Sequence, residues 1–328
     1  PLPSKEDNWI IRKKMNYLKD YREGEKFVGT YLCKQKQILK TKAGKTYYSL
    51  TLQDKTGTAD GKIWELNNGI ANFEPMDYIH CEGMVTSFQG NLQMNISRVR
   101  ISDEGEYDPA DYVPCTNKDV GEMFSRILKY VASVQNKYLR KILEMYFVEN
   151  KEFVDAFKKH SAAKSVHHGF MGGLLEHTLS VTDMCQYFAE HYPMIHRDLL
   201  ITAALFHDMG KIQEISDFPM NDYTDDGQLL GHIYIGARCM ENAAAQIPNF
   251  PPKLKNELVH CILAHHGKME FGSPKVPAIM EAMALHMADN ADAKLQTLTE
   301  VFTQAGDNMG WLGFNRMFES NLRKTSEE

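Results

Sequence analysis

The chain has 328 residues, of which 43% are hydrophobic and 24% are charged. This composition is that of a folded globular protein, and it excludes disordered, collagen-like and low-complexity classes. The length corresponds to about two domains at roughly 150 residues each. The longest apolar run, residues 199–206, is far shorter than the roughly 20 residues of a membrane-spanning helix, so we expect no membrane segment.

Cysteine usage and the first residues bear on the cellular compartment. The six cysteines are scattered along the chain without a Cys-x-x-Cys pair, which predicts neither a disulfide framework nor a thiolate zinc site. Residues 1–9 mix charges with proline and contain no hydrophobic signal segment. We therefore expect a reducing, cytoplasmic location.

The net charge of −6 is unevenly distributed. Residues 1–110 carry 16 basic and 15 acidic side chains, whereas the remainder carries 21 and 28. Residues 10–50 alone hold 11 basic and 3 acidic side chains. This segment is either a solvated lysine-rich face or a positive surface for a polyanion.

The first part of the chain has the texture of a β domain. Five segments rich in Val, Ile, Tyr and Thr predict strands at residues 27–39, 47–53, 58–64, 78–88 and 92–101. Residues 66–73 predict a short helix after the third strand. Five strands with a helix in that place are the order of an OB-fold barrel, so we predict an all-β OB-fold domain over residues 1–101.

OB-fold barrels commonly bind single strands through base-stacking aromatic side chains and cations. The predicted strands and turns offer five aromatics for this role: Tyr31, Tyr47, Tyr48, Trp64 and Phe88. Because most aromatics of a small barrel belong to its core, we expect only two or three of them to face a ligand. The residues that we predict to contact a nucleic acid are Lys40, Lys42, Lys45, Tyr47 and Trp64.

Residues 102–116 hold five acidic side chains and two prolines but no Lys or Arg, a composition that neither helix nor strand favours. We predict a linker there. The following domain, residues 117–328, shows apolar residues at helical spacing throughout and is predicted to be all α, with a polar tail from Asn321. Its predicted helices span residues 119–135, 137–147, 151–159, 173–191, 197–208, 228–247, 252–265 and 276–304.

Several histidines of this second domain occupy inward-facing helical positions beside acidic residues. His177 shares a helix face with Leu174 and Val181, and Asp289 shares one with Leu285. Each such residue alone is more often a hydrogen-bonded core residue than a ligand. Together they place imidazoles and carboxylates on the inner faces of five helices. Such buried groups need cations as partners, and divalent metal ions are the usual ones.

The order of these residues is specific. The pattern H…HD…H…HH…D, with residues 205–211 (LFHDMGK) in its middle, resembles the HD superfamily of metal-dependent phosphohydrolases. Residues 167–178 and 264–274, together with an OB-fold placed before the HD domain, resemble the YhaM family of bacterial 3′–5′ exoribonucleases. The similarity extends from about residue 25 to about residue 305.

The resemblance implies a centre with two divalent metal ions. His177, His207, Asp208 and Asp289 would hold the first ion, Asp208 would bridge, and His232, His265 and His266 would complete the second site. Mn²⁺ is the expected ion, with Fe, Co and Zn as alternatives. Gly173 stands where members with three metals carry a Glu, so two ions at most are expected.

The resemblance also implies an activity: hydrolysis of the 3′-terminal phosphodiester of single-stranded RNA, with release of nucleoside 5′-monophosphates. Single-stranded DNA is an alternative substrate. Besides Asp208, the implied catalytic residues are Lys211 and His168. The Lys211 ammonium would lie at the phosphate oxygens, or else it would only interact with a helix C-terminus. With its neighbour His167, His168 would contact phosphate, protonate the leaving oxygen or stabilise the loop.

Two other readings remain open at this stage. One is an HD phosphohydrolase that acts on a free nucleotide or a cyclic dinucleotide, although the Gly-Tyr-Pro element of the diguanylate-hydrolysing branch is missing after the His-His pair. The other is a non-catalytic single-strand-binding protein. A short linker between two such domains also allows a homo-oligomer.

Overall fold

The computed structural model describes residues 16–88, 90–164 and 168–326. The chain divides into two compact units between Pro114 and Cys115, within the segment predicted as a linker. The first unit is an all-β barrel and the second is a helical domain. The predicted two-domain fold class is thereby confirmed.

Five strands build the barrel, each within one residue of its prediction: β1 Lys26–Lys40, β2 Thr46–Asp54, β3 Gly57–Ile63, β4 Tyr78–Phe88 and β5 Asn91–Ile101. They form a closed barrel in the order β1-β2-β3-β5-β4, which is the OB-fold arrangement. Strand β1 pairs with β4 through its first half and with β2 through its second half. An irregularity in the β1–β2 register between Cys33 and Gln35 bends β1 so that it can serve both neighbours.

The helix predicted for residues 66–73 is not formed. The Asn67 side chain accepts a hydrogen bond from the Gly69 backbone N–H at 2.8 Å, so it stabilises a turn in place of the helix. The backbone then pairs with β5: Val99 N donates to Gly69 O, and Ala71 N donates to Val99 O. The prediction was wrong because this tertiary pairing and the Asn-Gly turn chemistry outweighed the helical pattern.

Residues 102–114 pack on the barrel unit. The Tyr107 ring stacks on Tyr78 with centroids 4.0 Å apart. The Gln53 amide donates to the Tyr112 carbonyl at 2.9 Å, and Lys55 pairs with Asp111 at 2.9 Å. The acidic segment therefore belongs to the same compact unit as the five strands.

The second unit contains helices at or near the predicted positions, namely α1 Val120–Ser133, α2 Lys137–Phe147, α3 Lys151–Lys159, α4 Gly173–His191, α5 Arg197–Phe206, α7 Asp225–Ala245, α8 Pro252–Ala264 and α9 Met280–Gln304. A short helix that was not predicted, α6 Lys211–Glu214, lies between α5 and α7. Side-chain oxygens of Asp119, Asn136 and Asn150 accept backbone N–H groups at the starts of the first three helices, as N-cap residues do. A short hairpin, β6 Phe314–Asn315 with β7 Ser320–Asn321, lies at the start of the tail predicted from Asn321, and residues 322–326 form no helix or strand.

The helical core centres on α5, whose residues from Leu199 to Phe206 are all buried. A helix that is apolar on every side is stable only when other helices enclose it, and α5 packs against α4, α8 and α9. Most of the predicted metal ligands lie on these four helices or directly after them. None of the helices in the described part of the chain combines the length and apolar character needed to span a bilayer.

Candidate metal centre

All seven predicted ligands converge on one buried place. His177 lies on α4, His207 and Asp208 directly follow α5, His232 lies on α7, His265 and His266 follow α8, and Asp289 lies on α9. The buried helix α5 ends at its centre, so that Asp208, only 2% exposed, faces ligands from the surrounding helices.

The first group of ligands surrounds the Nε2 atom of His177. This atom lies 3.1 Å from His207 Nε2 and 3.2 Å from Asp289 Oδ1. Asp208 Oδ2 lies 3.3 Å from it. These separations are those of donor atoms that share one ion at about 2.0–2.2 Å each.

The second group contains His232, His265 and His266, whose ligand atoms lie within 4.8 Å of one another. Asp208 Oδ1 faces this group, at 3.6 Å from His232 Nε2 and 3.7 Å from His265 Nε2. One oxygen of Asp208 thus faces each group, which is the arrangement of a carboxylate that bridges two ions.

Backbone carbonyls fix the orientation of three of the imidazole rings. Nδ1 of His207 donates to Ala204 O at 2.7 Å, and Nδ1 of His265 donates to Ile262 O at 2.6 Å. Both histidines are C-cap residues, where the last carbonyls of a helix lack helical partners and are free to accept. Nδ1 of His266 lies 2.9 Å from another backbone carbonyl. The Nε2 atoms of His207 and His265 are thereby directed into the centre.

The other two rings are held by carboxylates that the sequence analysis missed. His177 Nδ1 lies 2.7 Å from Asp292 Oδ2, and His232 Nδ1 lies 2.9 Å from Glu214 Oε1. The sequence could have indicated Asp292, because it follows Asp289 by three residues and therefore shares its helix face. No sequence feature indicates Glu214, because only the packing of α6 on α7 brings it to His232.

Several buried polar atoms of the centre have no partner among the described residues. Asp208 Oδ1 and the Nε2 atoms of His232 and His265 make no hydrogen bond there. Leaving such groups unsatisfied is costly, and a divalent cation would satisfy all of them. Nitrogen and carboxylate donors without thiolate suit Mn, Fe, Co or Zn, so the side chains are compatible with divalent metal binding.

The protonation states of two imidazoles also fit this role. Burial lowers the pKa of His207 to about 4. Burial, reinforced by the neighbouring imidazoles, lowers the pKa of His266 to about 3. Both rings are therefore neutral at neutral pH, which is the form that binds a metal ion.

The carboxylates of the centre stay ionised for a different reason. Burial by itself would raise the pKa of Asp208, but the Lys211 ammonium and nearby imidazoles hold it well below its usual range. The pKa of Asp289 is lowered against the same effect of burial by its hydrogen bond with His177. Burial disfavours the charged form of His177, yet the surrounding carboxylates raise its pKa. The two aspartates of the centre are thus ionised and can bind a cation.

Lys211 lies at the edge of this site, with Nζ 2.7 Å from Asp208 Oδ2. It is the first residue of α6, and its ammonium contacts this carboxylate. Gly210, directly before it, is a point of close approach, because a Cβ there would collide with the His232 carbonyl.

His168 lies behind the first group of ligands, almost fully buried, with Nε2 2.9 Å from Asp292 Oδ2. Its ring centroid is 5.3 Å from that of His177. A Cβ at Gly173 would collide with the His168 carbonyl, so this position, where a third metal would need a Glu, is closed by packing. His167 lies outside the described residues.

The predicted nucleic-acid contacts cluster on the barrel. The rings of Tyr47 and Trp64 stack with centroids 4.6 Å apart, and the Trp64 indole donates to Asn95 Oδ1 at 3.0 Å. Lys40 and Lys42 are exposed at the end of the β1–β2 hairpin, next to Tyr47. Lys45 is also exposed there and pairs with Glu65 at 3.2 Å.

The other three aromatics divide between core and surface. Tyr31 is fully buried in the barrel core, so it is unavailable to a ligand, whereas Phe88 is 61% exposed. Tyr48 is half-buried and packs edge-on against Phe73. Trp64 is 41% exposed and Tyr47 is half-buried like Tyr48, so Trp64 and Phe88 are the exposed aromatics among these five.

Comparison with known proteins identifies the helical domain and relatives of the chain. An HD-domain family model matches residues 174–294. The protein named 3′–5′ exoribonuclease YhaM of Bacillus subtilis (strain 168) is 32% identical over 262 residues, covering 78% of this chain and 81% of that protein. The protein of the same name from Listeria innocua serovar 6a is 32% identical over 293 residues, covering 87% and 90%. The chain belongs to the YhaM family.

A further relative with that name, from Geobacillus sp. (strain WCH70), is 32% identical over 257 residues, 78% of each chain. The second OB-fold domain of replication protein A from Methanococcus maripaludis covers 28% of this chain at 20% identity, with a TM-score of 0.23. That similarity is too weak to add to the strand order of the barrel. As a YhaM-family member with an HD domain, the chain is an enzyme of the HD hydrolase type.

Proposed function

We propose that this chain is a metal-dependent 3′–5′ exoribonuclease that removes nucleoside 5′-monophosphates from single-stranded RNA. The observation that carries the proposal is the position of Asp208, with one oxygen facing each of two ligand groups. The relatives' name supplies the substrate class and the polarity.

In this proposal His177, His207, Asp208 and Asp289 hold one divalent ion, and His232, His265 and His266 with Asp208 hold a second. Mn²⁺ is the proposed ion. Such a pair of ions activates a water molecule for attack and neutralises the oxygens of a phosphoryl group. Gly173, whose backbone touches His168, leaves no room for a third acidic ligand.

One side chain at the edge of the centre is proposed to act on the substrate. The Lys211 ammonium, 2.7 Å from Asp208, adds positive charge where the non-bridging phosphate oxygens become more negative in the transition state. His168 is almost fully buried behind His177, with Nε2 on Asp292, so we propose that it stabilises the loop before α4 rather than giving a proton to the substrate.

The barrel is proposed to hold the rest of the strand. The Tyr47–Trp64 stack, in which Trp64 is exposed and Tyr47 half-buried, offers a surface for bases, and Lys40, Lys42 and Lys45 offer charge to the phosphates. Contacts of these kinds bind a nucleic acid without recognising its base sequence.

The experiment is a digestion of 5′-labelled single-stranded RNA in Mn²⁺, with Asp208→Ala in parallel and a 3′-phosphorylated copy of the RNA. Asp155→Ala, which removes an exposed aspartate on α3, serves as the matched control. We expect a ladder that shortens from the 3′ end, unchanged in Asp155→Ala and absent in Asp208→Ala. Intact RNA with metal still bound would refute the proposal and favour a phosphohydrolase of free or cyclic nucleotides, or a non-catalytic binding protein.

A further inference from the structure

A second polar cluster lies behind His177, on the side away from Asp208. Its centre is the Asp292 carboxylate on α9, whose side chain is only 9% exposed. Asp292 Oδ2 lies 2.7 Å from His177 Nδ1 and 2.9 Å from His168 Nε2. Asp292 Oδ1 accepts a hydrogen bond from the Ser180 hydroxyl. One buried carboxylate thus serves three donors from two different segments.

His177 needs such a partner because of its place in the helix. His207 and His265 end their helices and use the free carbonyl three residues earlier. His177 lies inside α4, Gly173–His191, where the carbonyls are engaged in helical hydrogen bonds. Its Nδ1 pairs with a side chain from another element, Asp292 on α9.

The two aspartates of α9 hold opposite edges of the His177 ring. Asp289 Oδ1 lies 3.2 Å from Nε2, and Asp292 Oδ2 lies 2.7 Å from Nδ1. Their spacing of three residues places both on one helix face. A ring that donates from Nδ1 to a carboxylate presents the Nε2 lone pair to the opposite side, toward His207 and Asp208.

We propose that Asp292 is the positioning residue of the metal centre. It fixes the tautomer and the orientation of the His177 ring. The same oxygen, Oδ2, also contacts His168 and holds that ring next to His177. This inference rests on the proposed function, because it takes a divalent cation as the partner of His177 Nε2. Asp292 itself acts through His177 and is not a metal ligand.

The test measures Mn²⁺ binding by calorimetry in the full-length chain, independently of RNA hydrolysis. Asp292→Ala should weaken Mn²⁺ affinity about 10–100-fold, as the loss of such a partner generally does, without lowering the number of ions bound. Asp292→Asn should lose less, because its amide oxygen can still accept from His177 Nδ1. Ser180→Ala keeps the carboxylate and should change the affinity least.

Thermal unfolding in EDTA separates positioning from a structural role. Asp292→Asn, which is nearly isosteric, should melt close to the wild-type chain when metal is absent, yet gain less stability from Mn²⁺. A wild-type Mn²⁺ affinity in Asp292→Ala would overturn the inference. The loss of one bound Mn²⁺ at unchanged affinity for the remaining ions would also overturn it, because Asp292 would then be a metal ligand. If the wild-type chain binds no divalent ion, the proposed function itself fails.

Discussion

Lys211→Met removes the one lysine ammonium that faces Asp208 within the described residues. The two groups lie 2.7 Å apart, with side-chain exposures of 12% and 2%. At an effective dielectric constant of about 20, two unit charges at this distance attract by about 6 kcal/mol. Desolvation offsets part of this attraction, but removing one member of a buried pair still costs about 3–5 kcal/mol.

We therefore expect the metal-free Lys211→Met variant to lose about 3–5 kcal/mol in the free energy of unfolding of the helical unit. For a domain of roughly 200 residues, this corresponds to a melting temperature lower by about 6–20 °C. Saturating Mn²⁺ should shrink the deficit, because cations beside Asp208 replace the missing ammonium. The wild-type chain and the variant are compared by thermal unfolding in EDTA and in Mn²⁺.

The matched control is Lys141→Met, which breaks an ion pair of the same length, 2.7 Å to Glu149, between side chains that are both about half exposed. Such a surface pair contributes about 0–1 kcal/mol, so this variant should melt close to the wild-type chain in both buffers. The reasoning is refuted if Lys211→Met loses as little stability as Lys141→Met, or if its deficit is the same with and without Mn²⁺.

Three further predictions concern the barrel, the packing of α6 and the cysteines. Trp64→Ala should weaken the binding of single-stranded RNA by about 1–3 kcal/mol, the usual contribution of one stacked base. A fluorescence-anisotropy titration measures this loss, and Mn²⁺ binding should stay at its wild-type level. Unchanged RNA affinity would exclude Trp64 from the interface. Gly210→Ala should cost about 1–3 kcal/mol in chemical unfolding, because the added Cβ collides with the His232 carbonyl, and a stability equal to wild type would contradict this packing. In a thiol-labelling time course only Cys115 and Cys239 should react quickly, since the other four cysteines are buried; more than two fast thiols would contradict the core assignment.

The kinds of element and the set of candidate ligands could be predicted from the sequence. Segments rich in Val, Ile, Tyr and Thr predicted the five strands of the barrel to within one residue, because β-branched and aromatic side chains favour strands. The candidate ligands were detectable as well. Imidazoles and carboxylates at positions such as His177 and Asp289 interrupt otherwise apolar inner helix faces, and that contrast is a local property of the chain.

The tertiary structure decided which partner each of these side chains has. Asp292 and Glu214 orient His177 and His232 only because α9 packs on α4 and α6 packs on α7, and no sequence spacing encodes those contacts. The need for glycine at position 210 is likewise a tertiary effect, because a Cβ there would collide with the His232 carbonyl of a different helix.

The same division explains the failures in the barrel. Residues 66–73 have a helical pattern, but their backbone pairs with Val99, a partner almost thirty residues further along the chain. Tyr31 and Trp64 are both aromatic and both lie among lysines, yet the first fills the core and the second stacks on the surface. Polarity patterns indicate secondary structure and polar side chains on apolar helix faces, because both depend on near neighbours in the sequence. Hydrogen-bond partners and close approaches depend on how distant segments pack, so only the folded chain determines them.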